Sequence, residues 1–368
     1  MTYSTPDRTP HGSARAVIDA AIAANPAASI PFNHFMHLAL YGEPGGYYTK
    51  PDTQLTGRSG DFFTSVSVGP CFGFLLAHQV LNSWRALGSP IEFALVEAGA
   101  NDGQLTADIL TALASIDPEC ATAAHPVLVE QSHPARQKAA KIVPTATIVR
   151  EIPGDLPASA VVIANELLDA FPVHLVQFTA GSWRELHVAQ TPDKHLTTTP
   201  QPISDPTLAN HTNQLGSDFP EAYTTEINLL APLWITATAS RFTHAHLLIF
   251  DYGYPADEYY APHRTTGTLR TFAKHSAGDN PLDTPGDRDI TAHIDFSTLS
   301  SAAQTAGLTP SKLQDQHHYL IHLATPWLKS LEANPQQFAA SKDLLRQFQT
   351  LTHPSMMGRQ FKVLQLTK

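Results

Sequence analysis

The chain of 368 residues has only two cysteines, Cys71 and Cys120, and no C-x-x-C pair. Two cysteines cannot form the disulfide framework of a small secreted protein, so a reducing compartment is expected. Long hydrophobic runs are also missing. No stretch approaches the roughly 18 apolar residues that cross a bilayer, and residues 1–17 lack the apolar segment of a signal peptide. The sequence therefore predicts a cytoplasmic protein with no membrane partner.

Positive charge is scarce as well. Lys and Arg total 23 against 33 Asp and Glu, which gives a formal charge of −10, and only 15% of the residues are charged. A general nucleic-acid binder needs a surplus of Lys and Arg to neutralise phosphates, so that class is excluded, while a basic protein partner stays open. Hydrophobic residues make up 42% of the chain, which indicates one large globular domain or two modest ones.

Several catalytic motifs are absent. The 19 histidines include no H-E-x-x-H and no matching cysteine cluster, so we predict no metal site. Ser59 and Ser65 lie in glycine-bearing loops but not in the G-x-S-x-G frame of a hydrolase. A dinucleotide-binding G-x-G-x-x-G is missing too, which disfavours a nucleotide-dependent oxidoreductase.

Short apolar runs at helix-length intervals dominate the chain after residue 90. Runs of this kind predict parallel strands covered on both faces, and they lie at 93–97, 127–130, 146–149, 160–165 and 247–251. The predicted fold class is therefore a doubly wound α/β sheet. Ligands of such sheets bind beyond the carboxyl ends of the strands, where this chain places Glu97, Glu130, Asn165 and Asp251.

The remaining segments frame this sheet. Apolar spacing predicts helices at 13–24 and 31–41, followed by a Gly-, Ser- and Pro-rich loop at 42–70 whose length suggests a function. More than eighty residues separate the fourth and fifth runs, so a subdomain is inserted there. It is predicted to contain a hairpin of 174–178 with 183–188 and a helix at 221–241. A helix at 296–306 and strands at 312–320 and 360–366 complete the prediction.

The run FALVE leads into the loop 98–103 and then into a helix with one apolar face. Small residues let a ligand approach the backbone closely, and the start of a helix offers unpaired N–H groups to an anion. A dinucleotide would need more glycines, whereas S-adenosylmethionine brings an amino-acid carboxylate and ammonium that suit Glu97 beside this loop. Glu130 is placed to accept hydrogen bonds from both ribose hydroxyls, although acidic residues also end strands simply where solvent begins.

At this point the residues resemble the MidA-type methyltransferases, a family that includes a mitochondrial complex I assembly factor that methylates an arginine. The resemblance runs over about 31–368. Its pieces are FMHLALYGEPGGYYT (35–49), GRSGDFFTSVSVGPCFG (57–73), EAGANDGQLTADIL (97–110), VEQSHPARQ (129–137), ANELLDAFPV (164–173), WREL (183–186), DYGY (251–254), GTLRTF (267–272), DITAHIDFSTL (289–299) and MGRQFKVL (357–364).

The resemblance implies a class I, Rossmann-like methyltransferase fold with S-adenosylmethionine as methyl donor. It also implies the cofactor-binding residues, which are Glu97, Gly99, Asn101, Gly103 and Glu130, together with Gly60, Asp61, Thr64 and Ser65 of a loop that closes near the donor. The family loop usually reads E-L-G-P-G-R-G. Here Ala98, Ala100, Asn101 and Asp102 depart from it, and Asp102 adds a negative charge near the donor carboxylate.

The family's acceptor is a protein arginine, and a guanidinium is best gripped and oriented by carboxylates. Asn165, Glu166 and Asp169 follow the fourth apolar run, and in a first helical turn the two acids would face the same way, so we assign the three as catalytic. In the competing interpretation Asn165 caps that turn and the acids complement its dipole.

The predicted function is methylation of an arginine in a protein substrate. The alternative, suggested by the altered loop 98–102, is a binding or assembly protein that keeps the fold without turnover. The predicted domains are 1–90, with helices and the cofactor-covering loop, and 91–368, a methyltransferase core interrupted by an insert at about 181–241. The insert is a candidate surface for the acceptor or for a homodimer.

Overall fold

A computed structural model describes residues 13–50, 64–273, 276–278 and 280–368. The chain divides into two compact units, each built from several stretches. The first unit contains the described residues of Met1–Thr53, Pro172–Leu229 and Pro262–Ala292. The second unit contains those of Gln54–Phe171, Leu230–Ala261 and His293–Lys368.

Helices occur in both units. Their bounds are α1 Ala14–Ala24, α2 Phe32–Tyr41, α3 Cys71–Ala86, α4 Gln104–Ile116, α5 Pro118–Ala123, α6 His133–Ile142, α7 Pro206–Leu215, α8 Leu230–Ser240, α9 Ala256–Tyr259, α10 Phe296–Thr305, α11 Gln316–Ala333, α12 Pro335–Ala340 and α13 Lys342–Thr352. Short 3₁₀ turns lie at Tyr47–Thr49, Val66–Val68 and Leu168–Ala170, and a π turn lies at Pro354–Gly358. In the part of the chain that the structure describes, no helix combines the length and the apolar character of a membrane span.

The strands of the described residues form three sheets. Their bounds are β1 Ser29–Pro31, β2 Phe93–Ala98, β3 Ala124–Val129, β4 Thr147–Val149, β5 Ser159–Asn165, β6 His174–Thr179, β7 Ser182–Gln190, β8 Leu196–Gln201, β9 Thr224–Ile227, β10 His244–Tyr254, β11 Arg270–Ala273, β12 Ser276–Gly278, β13 Asp289–Thr291, β14 Ile294–Asp295, β15 Thr309–Pro310, β16 Gln314–Asp315 and β17 Phe361–Thr367.

The sheet of the second unit confirms the predicted doubly wound α/β fold. Its order is β15-β17-β10-β5-β2-β3-β4, and β10, β5, β2, β3 and β4 run parallel. Every residue of β2 is buried, as expected of a strand covered on both faces. The chain order reverses between β2 and β5, and ligands of open α/β sheets bind at such a switch point.

The first unit contains a separate antiparallel sheet of order β1-β7-β6-β9, with β8 added beside β7. The predicted hairpin is confirmed, because β6 and β7 pair with Val176 opposite Glu185. Val176, Leu208 and Ile227 form a small buried core there. A three-stranded sheet of order β12-β11-β13 also belongs to this unit.

Two predicted elements are wrong. The segment 221–241 is not one helix, because β9 precedes α8; Thr225 and Ile227 are fully or almost fully buried in β9, which pairs with β6. The segment 312–320 is not one strand, because α11 begins at Gln316 after the two-residue strand β16. Tyr319, Leu320 and Leu323 repeat with helical spacing and are all buried, so the helix period was present in the sequence.

A buried carboxylate organises one loop of the first unit. Glu226 is fully buried, and its carboxylate accepts hydrogen bonds of 3.0 Å from the backbone N–H groups of Thr268 and Leu269 and from the Thr268 hydroxyl. Gly267 has a φ of +71°, and a Cβ at this position would lie 2.2 Å from the Glu226 Oε1. Only glycine therefore fits here, for both conformational and steric reasons.

The substitution Gly267→Ala is expected to lower the free energy of unfolding by about 3 kcal/mol, since it adds backbone strain and displaces a buried, hydrogen-bonded carboxylate. Gly181→Ala is the matched control, because Gly181 has a similar φ of +73° with no atom within 4 Å of the added Cβ. It should cost only the strain, about 1 kcal/mol. Equal losses for the two variants in urea unfolding would contradict the steric argument.

Candidate active site

The loop between β2 and α4 turns at two glycines. Gly99 and Gly103 have φ values of +74° and +80°. A Cβ on Gly99 would lie 2.9 Å from a methyl group of Leu167, and one on Gly103 would lie 2.9 Å from a methyl group of Leu128. Gly103 directly precedes α4, a helix of 13 residues whose first N–H groups face the loop end. Both glycines are required for the close packing of this turn.

Glu130 lies just beyond β3 and holds the same loop in place. Its Oε2 accepts the backbone N–H of Asn101 at 2.9 Å, and its Oε1 accepts the N–H of Ser132 at 2.7 Å. Asn101 adopts a φ of +48°, a left-handed conformation that asparagine tolerates better than most residues. Burial raises the pKa of Glu130. Each carboxylate oxygen keeps a further lone pair, so Glu130 can accept hydroxyl groups of a ligand as well.

Glu97 is the last residue but one of β2 and is tied to α4. Its Oε2 accepts both the N–H of Thr106, at 3.1 Å, and the Thr106 hydroxyl, at 2.5 Å. Burial raises the pKa of Glu97 to about 8, and the negative charges of Asp102 and Glu130 act in the same direction. The visible role of Glu97 is thus to fasten the first turn of α4 to the end of β2.

The unusual Asp102 has a local partner. Its Oδ1 accepts the N–H of Gln104 at 3.2 Å, so it caps the start of α4. An acidic residue at this end of a helix is stabilised by the helix dipole. The fold therefore accommodates Asp102 at a position where the family loop usually has arginine. The charge of Asp102 nonetheless lies close enough to Glu97 to raise the pKa of the Glu97 carboxyl.

The predicted closing loop is only partly described. Gly60 and Asp61 lie outside the described residues, whereas Thr64 and Ser65 are both buried. The backbone N–H of Ser65 donates a hydrogen bond of 3.2 Å to the Oε1 of Glu166. The structure therefore brings Ser65 to one of the predicted catalytic acids.

The residues after β5 do not form the expected helical turn. Glu166 has a φ of +51°, and its N–H donates to the carbonyl oxygen of Phe250 in β10. The turn that follows, Leu168–Ala170, is capped by Asp251, whose Oδ2 accepts the N–H groups of Leu168 at 2.9 Å and Asp169 at 3.3 Å. The interpretation that Asn165 caps the turn is wrong, and so is the prediction that a helical turn aligns Glu166 with Asp169.

Glu166, beyond the end of β5, and Asp251 of β10 lie close enough to each other that both carboxyl groups are more easily protonated than usual. Glu166 accepts hydrogen bonds of 3.2 Å from the Ser65 N–H and from the Asn165 side-chain amide. Burial nonetheless raises its pKa to about 8, and the nearby Asp251 adds to this effect. Burial also raises the pKa of Asp251 to about 7. A bound cation would relieve the repulsion between these carboxylates.

Tyr252 lies close to both carboxyl groups and was not predicted. Its ring stacks with His293 at a centroid distance of 5.9 Å, with 13° between the ring planes. Burial raises the pKa of the Tyr252 phenol, and so do the charges of Glu166, Asp169 and Asp251. The DYGY motif carried a signal for this residue, because it places Tyr252 directly after Asp251. Among the described residues, no three or more His, Cys, Asp or Glu side chains are grouped so that they could hold a metal ion.

The geometry of the loop fits S-adenosylmethionine. The positive end of the α4 dipole can attract its amino-acid carboxylate, and Glu130 is near enough to the loop to accept its ribose hydroxyls. The packing of Gly99 against Leu167 and of Gly103 against Leu128 fixes the course of the loop between these two groups.

Comparison with known proteins decides the family. Residues 75–314 match the family described as "Putative S-adenosyl-L-methionine-dependent methyltransferase". The chain belongs to this family. The predictions of a class I methyltransferase fold, of methyltransferase activity and of S-adenosylmethionine as cofactor are thereby confirmed.

Curated relatives and a solved structure agree. The chain is 31% identical to the mitochondrial protein arginine methyltransferase NDUFAF7 of Mus musculus, over 89% of this chain and 78% of the relative. It is 27% identical to the NDUFAF7 homolog of Drosophila melanogaster, over 91% and 80%. A crystal structure from Burkholderia thailandensis bound to S-adenosyl-homocysteine is 28% identical, has a TM-score of 0.82, and matches over 99% of this chain and 95% of that one.

These relatives correct one prediction. The sequence predicted a cytoplasmic protein, but the curated relatives are named as mitochondrial proteins, so that prediction is contradicted. A low cysteine content does not separate the cytoplasm from other reducing compartments, and this is why composition misled the prediction.

Proposed function

We propose that this methyltransferase transfers a methyl group to an arginine side chain of a protein, and that Glu166 and Asp169 hold the guanidinium while Asn165 orients Glu166. The observation that carries the proposal is the cluster of carboxyl groups of Glu166, Asp169 and Asp251 beyond the end of β5, of which the last two are buried. The names of the curated relatives as arginine methyltransferases support it.

The donor would be held by the loop at the end of β2. Glu130 would accept the ribose hydroxyls while it keeps its bonds to the Asn101 and Ser132 N–H groups. The positive end of the α4 dipole would attract the amino-acid carboxylate, and the turn at Gly99 and Gly103 would hold the loop in place beside it. When bound, S-adenosylmethionine supplies an electrophilic methyl group on a positively charged sulfur. The main tasks of the protein are then positioning and electrostatics.

The acceptor chemistry follows from the acid cluster. A guanidinium keeps its charge at any ordinary pH, so it enters as a cation and favours the ionised forms of Glu166 and Asp251. Planar N–H groups of the guanidinium can then donate to the carboxylates, which fixes one nitrogen toward the donor. Methylation requires that nitrogen to lose a proton, and a carboxylate whose pKa is raised to about 8 is a suitable base for it.

A second candidate function rests on the loop itself. Asp102 places a negative charge near Glu97 and Glu130, and this crowding of charge would weaken binding of the donor carboxylate. In that case the chain would act as a binding or assembly protein without turnover. Measured affinity for the donor separates this candidate from the enzyme.

The proposal is tested by incubating the protein with S-adenosylmethionine labelled in its methyl group and with an extract of cells that lack this chain. We expect label in protein, and after acid hydrolysis the label should migrate as methylarginine. Label in another amino acid would overturn the arginine assignment. Donor binding in calorimetry without any transfer would favour the assembly protein instead.

A further inference from the structure

Two glutamines of the C-terminal helices hold the segment 64–71 of the second unit. Gln316, the first residue of α11, is completely buried. Its Nε2 donates a hydrogen bond of 3.2 Å to the carbonyl oxygen of Leu351 in α13, and its Oε1 accepts the hydroxyl of Ser65 at 3.4 Å. Both ends of this buried amide are therefore satisfied by residues far away in the sequence, as burial of an amide requires.

Gln347 of α13 makes the second connection. Its Oε1 accepts the N–H of Cys71 at 3.0 Å, at the start of α3, where Pro70 offers no capping side chain. Gly69 has a φ of +135°, and a Cβ there would lie 2.6 Å from the side-chain amide of Gln347. The segment that precedes α3 is thus shaped around a side chain of the C-terminal helices.

Ser65 connects this arrangement to the acid cluster. Its hydroxyl is bound to Gln316, and its backbone N–H donates to the Oε1 of Glu166. We propose that Gln316 is a positioning residue, which fixes Ser65 so that the Ser65 N–H holds the Glu166 carboxyl in place. The inference rests on the proposed role of Glu166 in the transfer reaction.

The surroundings of Glu166 explain why one N–H group matters. Asp251 and the phenol of Tyr252 lie near this carboxyl, and neither stabilises a negative charge there. The stabilising donors are the Ser65 N–H and the Asn165 amide, both of which reach Oε1. If Ser65 moves away, one of these two donors is lost, so the carboxyl should ionise at a higher pH.

The test is a titration of Glu166 in the ligand-free, full-length protein. Glutamate labelled with ¹³C at the side-chain carboxyl gives one resonance per residue, and the resonance of Glu166 is the one missing from Glu166→Gln. In Gln316→Met, which keeps the length of the side chain without its polar atoms, we expect the midpoint of the titration to rise by about one pH unit. Ser65→Ala should shift it in the same direction.

A double variant shows whether the effect passes through Ser65. If Gln316 acts on Glu166 only by holding the Ser65 hydroxyl, then Gln316→Met combined with Ser65→Ala should shift the midpoint no further than the larger single shift. Gln337→Leu is the control, because Gln337 is exposed on α12. In this variant, Glu166 should titrate with the same midpoint as in the wild type.

Each outcome decides the inference. An unchanged midpoint in folded Gln316→Met, or fully additive shifts in the double variant, would overturn it. If Gln316→Met does not fold, Ser65→Ala gives the decision, because it removes the hydroxyl that Gln316 binds, and an unchanged midpoint there would also overturn the inference. The titration needs no donor or acceptor, so a failure of arginine methylation in the transfer assay would refute the proposed function without affecting this result.

Discussion

Replacing Glu166 with glutamine is expected to lower kcat for methyl transfer by about 100- to 10,000-fold, the range typical for loss of a general base. Glutamine has nearly the same shape and can still accept the Ser65 N–H, but it neither balances a guanidinium charge nor accepts a proton. The measurement is single-turnover transfer of a labelled methyl group to an arginine peptide. Affinity for S-adenosylmethionine should stay within about twofold, because Glu166 is not part of the proposed donor site at the end of β2.

Glu332→Gln is the matched control, since Glu332 is exposed near the end of α11. This variant removes the same charge from the same unit and should transfer methyl groups at the rate of the wild type. Retention of more than about a tenth of the activity in Glu166→Gln would remove Glu166 from the catalytic residues.

The pH dependence has a definite sign. Below its raised pKa of about 8, Glu166 is protonated and cannot hold a cation. The value of kcat/KM, which reports on the free enzyme, should therefore rise with pH through pH 8 and level off above it. In the pH profile of kcat, the rise should lie at lower pH than in the profile of kcat/KM, because the bound guanidinium stabilises the carboxylates. A profile of kcat/KM that falls between pH 6 and 8 would contradict this mechanism.

The second large effect is expected at Glu130. The substitution Glu130→Ala removes the acceptor of the Asn101 and Ser132 N–H groups and also the proposed acceptor of the ribose hydroxyls. Loss of hydrogen bonds to a charged group costs about 1.5 to 3 kcal/mol, so the affinity for S-adenosylmethionine should fall by about 10- to 150-fold in isothermal calorimetry.

Glu151→Ala serves as the control for charge, because Glu151 is exposed and lies after the neighbouring strand β4. Its affinity should equal that of the wild type. If Glu130→Ala binds S-adenosylmethionine as tightly as the wild type does, Glu130 does not contact the donor. It would then be an acidic residue that lies at the end of a strand only because solvent begins there.

The sequence predicted what depends on short-range pattern. Apolar runs such as 93–97 and 160–165 located the parallel strands, and the small residues at 98–103 located the loop between β2 and α4. Contacts between residues far apart in the sequence could not be predicted from a short-range pattern. Asp251 caps a turn 83 residues away in the sequence, and Gln316 lies 251 residues from Ser65. The left-handed conformation of Glu166 also depends on its bond to Phe250, so local propensity favoured a helical turn instead.

The pairing of β17 with β10 has a consequence during protein synthesis. Strand β10 ends at Tyr254 and β17 ends at Thr367, which is 367 − 254 = 113 residues later. At roughly 5 to 20 residues per second, the ribosome needs about 6 to 23 s to make that interval. During this time one edge of β10 has no neighbour from β17, and an open strand edge is a template for wrong pairing between chains. A nascent chain of this protein should therefore depend on chaperones most strongly in that interval.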